Sequence, residues 1–343
     1  MSEPRATLLV QCRAGFEGDC AAELAARAED AGCHGSARAI PGSGFVRFES
    51  EPMLAPSWRE LVFARELWPV HAELSDLPQA DRTAPLVAAL AGAPRAYCAL
   101  SLEHPDTNEG KALANFLRRF AQPLRAALGR AGIVLDDPAA PCLHLFFTDS
   151  RHAFLGSADP TCTAPWPMGI PRLRFPRGAP SRSTLKLDEA FLALLTEDER
   201  ARWLMPGMTA VDLGAAPGGW TWQLAHRGLR VTAVDNGPMD PALLESELVT
   251  QLREDGFRYR PPRRVDWLVC DMVEQPQRVA ALVAEWLAAG DCRRAIFNLK
   301  LPMKQRHRSV SECLAAVRAR VPRVALRAKQ LYHDREEVTV YAG

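Results

Sequence analysis

The sequence predicts an α/β protein in which a doubly wound parallel sheet follows a smaller α+β domain. From about residue 181 onward, apolar strand segments alternate with helical segments, which is typical of a parallel sheet covered on both faces. A glycine-bearing turn joins one of these strands to the next helix, and six prolines between positions 160 and 180 separate this region from the first. A chain of 343 residues is long enough for two domains, each with its own core.

The N-terminal region, residues 1–158, is predicted to form the smaller α+β domain. Its segments in order are a strand TLLVQCR, a helix FEGDCAAELAARAEDAG, a strand GFVRFES, a helix around WRELVFAREL and a strand near VHAEL. A longer helix, GKALANFLRRFAQPLRAALGRAG, has apolar residues at helical spacing, but we expect Pro123 to kink or split it. The segment CLHLFFTD is expected to be a buried strand that pairs with HAFLG.

The C-terminal region, residues 183–343, is predicted to form the α/β domain. It begins with a helix KLDEAFLALL and then alternates strands and helices: TAVDLG, GWTWQLAHR, RVTAVD, VDWLVCD, QRVAALVAEWLAAG, RRAIFNLK, SVSECLAAVRAR, RVALRAK and EEVTVYA. The strands TAVDL, VTAV, WLVC and AIFNL are apolar throughout, so we expect them to lie in the centre of the sheet.

The segment 159–182 is predicted to link the two domains, and it is rich in proline and arginine. Basic residues accumulate at its end without an acid among them: Arg172, Arg174, Arg177, Arg182 and, just beyond it, Lys186. Residues 1–160 hold 15 basic and 20 acidic side chains, whereas residues 161–343 hold 27 and 21. The segment is therefore either a solvated linker or a strap that contacts phosphates.

Composition excludes several classes of protein. With 48% hydrophobic and 24% charged residues and a net charge of +1, the chain is an ordinary globular protein and not a disordered one. Its nine cysteines form no C-x-x-C pair and no histidine stands at zinc-ligand spacing, so neither a zinc site nor a disulfide scaffold is expected. The opening twenty residues lack a secretory apolar run, and we expect a cytoplasmic protein with reduced thiols.

The turn VDLGAAPGGW carries the strongest local signal. Here a strand runs into glycines and then into a helix, which lets the backbone approach a nucleotide-like ligand closely. Asp235 ends the following strand, 21 residues after Gly214, where its carboxylate can accept hydrogen bonds from a ribose diol. Each feature alone also fits a structural role, namely a tight strand-to-helix connection and a turn or helix-capping aspartate.

Four charged residues of the C-terminal region together make a pattern, and two of them end strands at the carboxyl edge of the sheet. Asp271 closes VDWLVCD, Lys300 closes RRAIFNLK, Lys186 lies in SRSTLKLDEAF and Glu337 starts the last strand. Each of these residues, taken singly, also has a plain structural interpretation. Lys186 can be a solvated helix residue, Lys300 can extend its ammonium from the strand end into solvent, and Glu337 can be one of the acids in a polar turn. Only five of the 42 basic residues are lysines, so two at this edge are informative.

Two classes of nucleic-acid-modifying enzymes have a recognisable motif at such a strand end, and the residues around Asp271 match neither. The run DMVE is not the Asn/Asp-Pro-Pro-aromatic run that adenine amino methylation usually employs. Pyrimidine C5 methylation needs a cysteine nucleophile in a Pro-Cys or Thr-Cys setting, whereas Cys270 precedes the aspartate on a strand that should be buried. We therefore interpret Cys270 as a small core residue.

These motifs resemble a known family of enzymes. The glycine turn resembles motif I of the S-adenosylmethionine-dependent methyltransferases, and Lys186, Asp271, Lys300 and Glu337 resemble the K-D-K-E tetrad of FtsJ-type RNA ribose 2′-O-methyltransferases. Segments in both halves, among them FNLKLPMK, VDNGPM, QLYHDREEVTV, CRAGFEGDCAAEL and DTNEGK, are similar to the ribosomal RNA large subunit methyltransferase M family. The resemblance covers nearly the whole chain.

The resemblance implies a fold, an activity and partners. It implies a Rossmann-like S-adenosylmethionine-dependent methyltransferase domain preceded by a THUMP-like, ferredoxin-like RNA-binding domain. The expected reaction is 2′-O-ribose methylation of a cytidine in bacterial 23S rRNA, with S-adenosyl-L-methionine as the cofactor. The expected partner is 23S rRNA or a precursor of the large ribosomal subunit, with no membrane and no obligate protein partner. The net negative N-terminal half is unusual for an RNA-binding domain.

The resemblance also assigns roles to site residues, and it implies a reaction that requires no metal. The expected cofactor contacts are Ser183, Gly214, Ala216, Pro217, Gly218, Gly219, Asp235, Asp255 and Asp271. The expected catalytic set is Lys300, as proton acceptor, with Lys186, Asp271 and Glu337. The expected RNA contacts are Arg172, Arg174, Arg177, Arg182 and Lys304. Some members have Cys where this chain has Ala216, an exchange that a turn lined by backbone tolerates.

The chemical role of Lys300 and two other functions stay open at this point. A lysine base must first be neutral, although its ordinary pKa is about 10.4, so Lys300 can instead act as a cation that orients the hydroxyl. One alternative function is methylation of a different RNA nucleotide or acceptor, and the tetrad argues against it. The other is a non-catalytic RNA-binding assembly factor, against which the intact turn and tetrad argue.

Overall fold

The computed structural model describes residues 6–343, which divide into two compact units at the junction between Pro171 and Arg172. This junction falls inside the segment 159–182 that the sequence suggests as a linker. The first five residues of the predicted N-terminal domain lie outside the described residues. Within residues 6–343, no helix is long and apolar enough to cross a membrane.

The first unit is built on a seven-stranded sheet with the order β2-β3-β1-β4-β9-β8-β6. Its strands are β1 (Ala6–Cys12), β2 (His34–Ala39), β3 (Phe45–Glu51), β4 (Ala64–Leu74), β5 (Ala96–Tyr97), β6 (Leu100–Glu103), β7 (Val134–Leu135), β8 (Cys142–Phe147) and β9 (Ala153–Ala158). Its helices are α1 (Glu17–Asp30), α2 (Thr83–Ala88) and α3 (Asn108–Arg130), and β5 pairs with β7 in a separate small sheet. The long strand β4 pairs with β1 on one side and β9 on the other, which joins the two parts of the sheet.

The helix predicted around WRELVFAREL is wrong. Only a 3-10 turn at Trp58–Glu60 is helical, and Ala64 already begins β4. The first five residues of β4 are all buried, Arg65 and Glu66 among them, so the polarity of the sequence does not alternate here as in a half-buried strand, and its apolar spacing also fits a helix. The sequence analysis did not detect β2, because this edge strand is exposed along nearly its whole length and has no apolar alternation.

Helix α3 is continuous through Pro123, so of the two expectations, a kink or a split, the split is wrong. Pro123 lies on the exposed face, as does Arg119, whose carbonyl loses its usual partner and remains open to water. The expectation that every thiol is reduced is wrong for one pair, since Cys98 and Cys142 form a disulfide. The two cysteines are 44 residues apart in the sequence, and the parallel pairing of β6 with β8 brings them together. Their spacing in the sequence gives no indication of this pairing.

The second unit contains a seven-stranded sheet with the order β12-β11-β10-β13-β14-β16-β15. Its strands are β10 (Thr209–Leu213), β11 (Arg230–Val234), β12 (Val249–Leu252), β13 (Val265–Cys270), β14 (Cys292–Lys300), β15 (Leu326–Lys329) and β16 (Glu337–Ala342). Its helices are α4 (Thr184–Leu194), α5 (Glu197–Trp203), α6 (Gly219–Ala225), α7 (Pro241–Leu244), α8 (Pro276–Ala289) and α9 (Arg306–Arg320). The short elements β12, α5 and α7 were not predicted.

Strand direction in this sheet determines where a ligand can bind. Strands β10 to β14 are parallel, whereas β16 is antiparallel to both β14 and β15, so the sheet is mixed and not wholly parallel. The chain runs from β10 outward to β12 and then returns to β13 on the other side of β10. The order therefore reverses between β10 and β13, and ligands of such sheets bind in the crevice at the carboxyl ends of these strands.

Candidate active site

Four charged side chains from four different elements meet at the carboxyl edge of the second unit's sheet. Lys186 lies in the first turn of α4, Asp271 directly follows β13, Lys300 ends β14 and Glu337 begins β16. Because β14 and β16 are antiparallel, the end of one strand lies beside the start of the other, and Lys300 pairs directly with Glu337 in the register. The structure thus brings together the four residues of the predicted tetrad.

The two lysines and two carboxylates of this tetrad form a compact, charge-balanced cluster. Lys300 Nζ lies 2.6 Å from Asp271 Oδ1 and 2.8 Å from Glu337 Oε2. Lys186 Nζ lies 2.9 Å from both Glu337 oxygens and 3.4 Å from Asp271 Oδ2. The side chain of Lys300 remains 22% exposed, the most of the four, so its ammonium is the most accessible to a substrate.

The protonation of Lys300 follows from this cluster. Burial alone would lower the pKa of Lys300, but the carboxylates of Asp271 and Glu337 outweigh burial and raise the pKa above its ordinary value. In the ligand-free protein Lys300 is therefore an ammonium group at neutral pH. The arrangement favours a cation that holds an oxygen over a neutral amine that removes a proton.

The turn between β10 and α6 leaves no room for a side chain at its glycine positions. Gly214 has a φ of 75°, and a Cβ there would lie 2.6 Å from Met272 Cγ. A Cβ on Gly219 would lie 2.1 Å from the Ser183 hydroxyl oxygen. Ser183 therefore packs against the start of α6, and its hydroxyl lies 2.7 Å from that of Ser181.

Asp235 holds this turn from the next strand. Its Oδ2 accepts a hydrogen bond from the Ala216 N–H at 3.0 Å, and its Oδ1 accepts one from the Gly237 N–H at 2.7 Å. Each carboxylate oxygen keeps a further lone pair, so Asp235 can also accept from a ligand hydroxyl. The carboxylate thus fixes the turn and faces the crevice at the same time.

A cleft of about 520 Å³ opens beside the turn, within the size range of cofactor sites. It is lined by five acids, Asp235, Glu254, Asp255, Asp271 and Glu274, together with Gly214, Ala216, Val234, Asn236, Gly256, Phe257, Met272 and Val273. Such an acidic lining complements a cationic ligand that also carries hydroxyl groups. These residues therefore fit the expected cofactor, which has a positively charged sulfur and a ribose diol.

The remaining predicted residues lie outside this lining. Pro217, Gly218, Gly219 and Ser183 lie at the turn and the adjoining helix starts. The residues expected to contact RNA are all exposed: Arg172, Arg174, Arg177, Arg182 and Lys304. The first three lie in an irregular segment that precedes α4. Cys270 is fully buried and burial raises the pKa of its thiol to about 12, in agreement with a core role.

Two buried polar residues at the site were not singled out from the sequence. Asp212 lies on β10 and accepts a 2.6 Å hydrogen bond from the Thr221 hydroxyl. Burial and, to a smaller extent, the nearby Asp271 carboxylate raise the pKa of Asp212 to about 7, against the lowering effect of the Thr221 hydrogen bond. Asn298 donates to both tetrad carboxylates. It stands two residues before Lys300, so strand alternation places both side chains on one face, a signal that could have identified it.

Known proteins resemble this chain over nearly its whole length. Three family models match it: "RlmM ferredoxin-like domain" over residues 6–68, "Ribosomal RNA large subunit methyltransferase M, N-terminal" over 81–159 and "FtsJ-like methyltransferase" over 179–300. A protein named ribosomal RNA large subunit methyltransferase M from Alkalilimnicola ehrlichii is 56% identical, with 97% of this chain and 93% of the relative covered. Its namesake from Methylococcus capsulatus is 52% identical, with 99% and 98% covered. The crystal structure of TrmN from Thermus thermophilus is 17% identical with a TM-score of 0.37, covering 98% of this chain and 99% of that one.

Proposed function

The chain belongs to the ribosomal RNA large subunit methyltransferase M family, and from that membership we propose how its site performs the reaction. It is an S-adenosylmethionine-dependent rRNA methyltransferase, and the acceptor is the ribose 2′-oxygen of a cytidine in bacterial 23S rRNA. The observation that carries the proposal is the cluster of Lys186, Asp271, Lys300 and Glu337 beside the acidic cleft. A charged cluster of this kind can position a ribose hydroxyl and stabilise the negative charge that develops on its oxygen.

We propose that the cofactor is held along the cleft. Bound there, S-adenosylmethionine supplies an electrophilic methyl group on a positively charged sulfur. Asp235 would accept hydrogen bonds from the ribose diol, and Asp255 lies on the same wall. The backbone at Gly214 and Ala216 would approach the methionine part, since no side chain at Gly214 obstructs it. Asp271 lines the cleft and also contacts Lys300, so it connects the cofactor site with the acceptor site.

In this proposal Lys300 acts as a cation. Its ammonium is fixed by two carboxylates and would place the 2′-oxygen in line with the methyl group. The 2′-hydroxyl would lose its proton to water as its oxygen attacks the methyl group, and the ammonium would stabilise the negative charge that develops on that oxygen without reorganisation of the site. Lys186 neutralises the second charge of the carboxylate pair and keeps both acids in place. Positioning alone can lower the barrier by several kcal/mol.

We further propose that exposed basic residues hold the RNA. The irregular segment before α4 carries Arg172, Arg174 and Arg177, and Arg182 and Lys304 also lie on the surface of the second unit. Guanidinium groups on an extended segment can contact successive phosphates without reading the base sequence. The substrate is either 23S rRNA or a large-subunit precursor, and the reaction takes place in the cytoplasm, where bacterial ribosomes are assembled.

The proposal is tested by methyl transfer in vitro from labelled cofactor to 23S rRNA that lacks this modification. The expected product resists alkaline cleavage at the labelled nucleotide, because a methylated 2′-oxygen cannot attack the adjacent phosphate. Label on a base, or on another RNA, would instead support the alternative of a different acceptor. Binding of rRNA without any transfer of label would support the alternative of an assembly factor.

A further inference from the structure

A row of buried polar side chains lies behind the tetrad. Asn298 on β14 and Thr339 on β16 are fully buried and face each other in the strand register. Asp334 lies in the loop that precedes β16 and is only 1% exposed. The family resemblance assigns no role to these three residues, and the reaction as described above does not involve them.

The orientation of the Asn298 amide follows from its neighbours. Its Nδ2 lies 2.9 Å from Asp271 Oδ1 and 2.9 Å from Glu337 Oε2. Both acceptors are carboxylates paired with lysines, so only an N–H group can face them; an amide oxygen there would be repelled. The amide oxygen of Asn298 must therefore face the other way, where it lies 2.6 Å from Thr339 Oγ1. Thr339 donates its proton to Asn298.

A hydroxyl group has one proton, and this limits what Thr339 can do. Its Oγ1 lies 2.9 Å from Asp334 Oδ2 as well, but its proton already points to Asn298. A hydrogen bond between Thr339 and Asp334 therefore needs a proton on the carboxyl group. We propose that Asp334 is a protonated acid at the start of a hydrogen-bond chain, from Asp334 to Thr339 to Asn298, that positions Asp271 and Glu337 for methyl transfer.

The surroundings of Asp334 support this protonation state. Burial raises the pKa of Asp334 well above 3.8; the charge of Glu337 raises it further, that of Lys186 lowers it and that of Glu189 raises it. The Leu331 N–H donates to Asp334 Oδ2 at 3.2 Å, which a carboxyl group can accept while it donates to Thr339. The loop is also held by Glu189 of α4, whose carboxylate accepts from the backbone N–H groups of Tyr332 and His333.

The three residues are positioning residues in this proposal, since they act through Asp271 and Glu337. If Asp334 ionises, it competes with Asn298 for the proton of Thr339. The buried amide oxygen of Asn298 then loses its donor, and the amide that donates to both carboxylates is held from one side only. The lysines remain paired with carboxylates that are less firmly held, so the proposed placement of the 2′-oxygen becomes less accurate.

Variants of the chain test the direction of the hydrogen bonds, and this part rests on the proposed function. Asp334→Asn keeps an N–H donor for Thr339, and the only hydrogen bond it loses is the one from Leu331 N–H to Asp334 Oδ2. Its kcat should therefore stay within about threefold of the parent value. Thr339→Val removes the hydroxyl and should lower kcat by about tenfold without changing KM, and Thr339→Ser should recover it. Thr250→Val, on the exposed side of β12, is the matched control and should match the parent. An Asp334→Asn loss as large as that of Thr339→Val would overturn the chain.

A second measurement does not depend on the substrate. A folded-state pKa above the unfolded one means that the folded protein binds more protons, so stability falls as pH rises. The measured quantity is the ratio of the unfolding equilibrium constant of the parent to that of Asp334→Asn. Between pH 3.8, the ordinary pKa of an aspartate, and the pKa of Asp334 in the folded protein, this ratio should rise about tenfold per pH unit. A ratio that stays constant over pH 4–7 would overturn the proposal even if the enzyme methylates rRNA. A rising ratio with no rRNA methylation would instead contradict only the proposed function.

Discussion

Replacing Lys300 with Met removes the ammonium group but keeps an unbranched side chain as far as Cε. Strand β14 is held by its buried apolar residues, so its place in the sheet should be unchanged. The carboxylates of Asp271 and Glu337 lose contacts of 2.6 and 2.8 Å but keep Lys186 and Asn298 as partners. The variant therefore separates the chemistry at Lys300 from the fold around it.

The size of both effects follows from this geometry. Breaking a fully buried ion pair costs about 3–5 kcal/mol and breaking an exposed one up to about 1 kcal/mol. The 22% exposure of Lys300 places it between these limits, so we expect Lys300→Met to lose about 1–3 kcal/mol of stability. Loss of a group that stabilises developing charge lowers kcat by at least about 100-fold, which corresponds to about 2.7 kcal/mol of barrier.

Single-turnover methyl transfer to rRNA measures the chemical step directly, and calorimetric titration measures cofactor affinity. We expect Lys300→Met to transfer methyl groups at least about 100-fold more slowly while binding the cofactor almost as the parent does. Lys111→Met, on the exposed surface of α3 in the first unit, is the matched control and should keep the parental rate. A single-turnover rate for Lys300→Met within a few-fold of the parent would refute the cationic role of Lys300.

Three further predictions concern the cofactor, pH and the RNA. Asp235→Ala should weaken cofactor binding by more than about tenfold in calorimetry. The variant loses both the carboxylate that accepts hydrogen bonds from the cofactor's ribose diol and the hydrogen bonds that hold the turn. An unchanged affinity would mean that the cofactor binds elsewhere. Burial raises the pKa of Asp212 to about 7, so the stability of the parent should fall as pH rises from about 4 to 7. In denaturant titrations at pH 8, Asp212→Asn should therefore be more stable than the parent by up to about 4 kcal/mol. The same dependence of stability on pH in both proteins would exclude a buried, protonated Asp212. Replacing Arg172, Arg174 and Arg177 with Gln should reduce the salt dependence of RNA binding, whereas an unchanged slope would make the segment a plain linker.

The sequence predicted the strands of the second unit well because their apolar runs are long and regular. Asp271 and Lys300 end two such strands, so their place at one edge of the sheet followed from strand direction alone. The pairing of Lys300 with Glu337 is different, since it depends on an antiparallel register between β14 and β16. Only the family resemblance joined Glu337 to the tetrad before the structure did.

Other features could not be found in the pattern, for physical reasons. Thr339 and Asn298 are uncharged residues inside strands, where threonine is common and a buried amide gives no periodic signal. Asp334 lies in a polar turn that reads as exposed, yet the loop folds inward and buries it. The segment WRELVFAREL has the apolar spacing of a helix, but its last four residues belong to β4 and are buried in a sheet. In each case the long-range pairing of strands decides the outcome.

The central claim is that Lys300 and its carboxylate partners direct a methyl group to a ribose oxygen of 23S rRNA. A nucleotide-resolution map of ribose methylation tests it most directly, made on 23S rRNA from cells that lack this protein and from the same cells supplied with the parent or with Lys300→Met. We predict that one cytidine loses its 2′-O-methyl group without the protein, regains it with the parent and does not regain it with Lys300→Met. A ribose methylation map that is the same in all three strains would contradict the account.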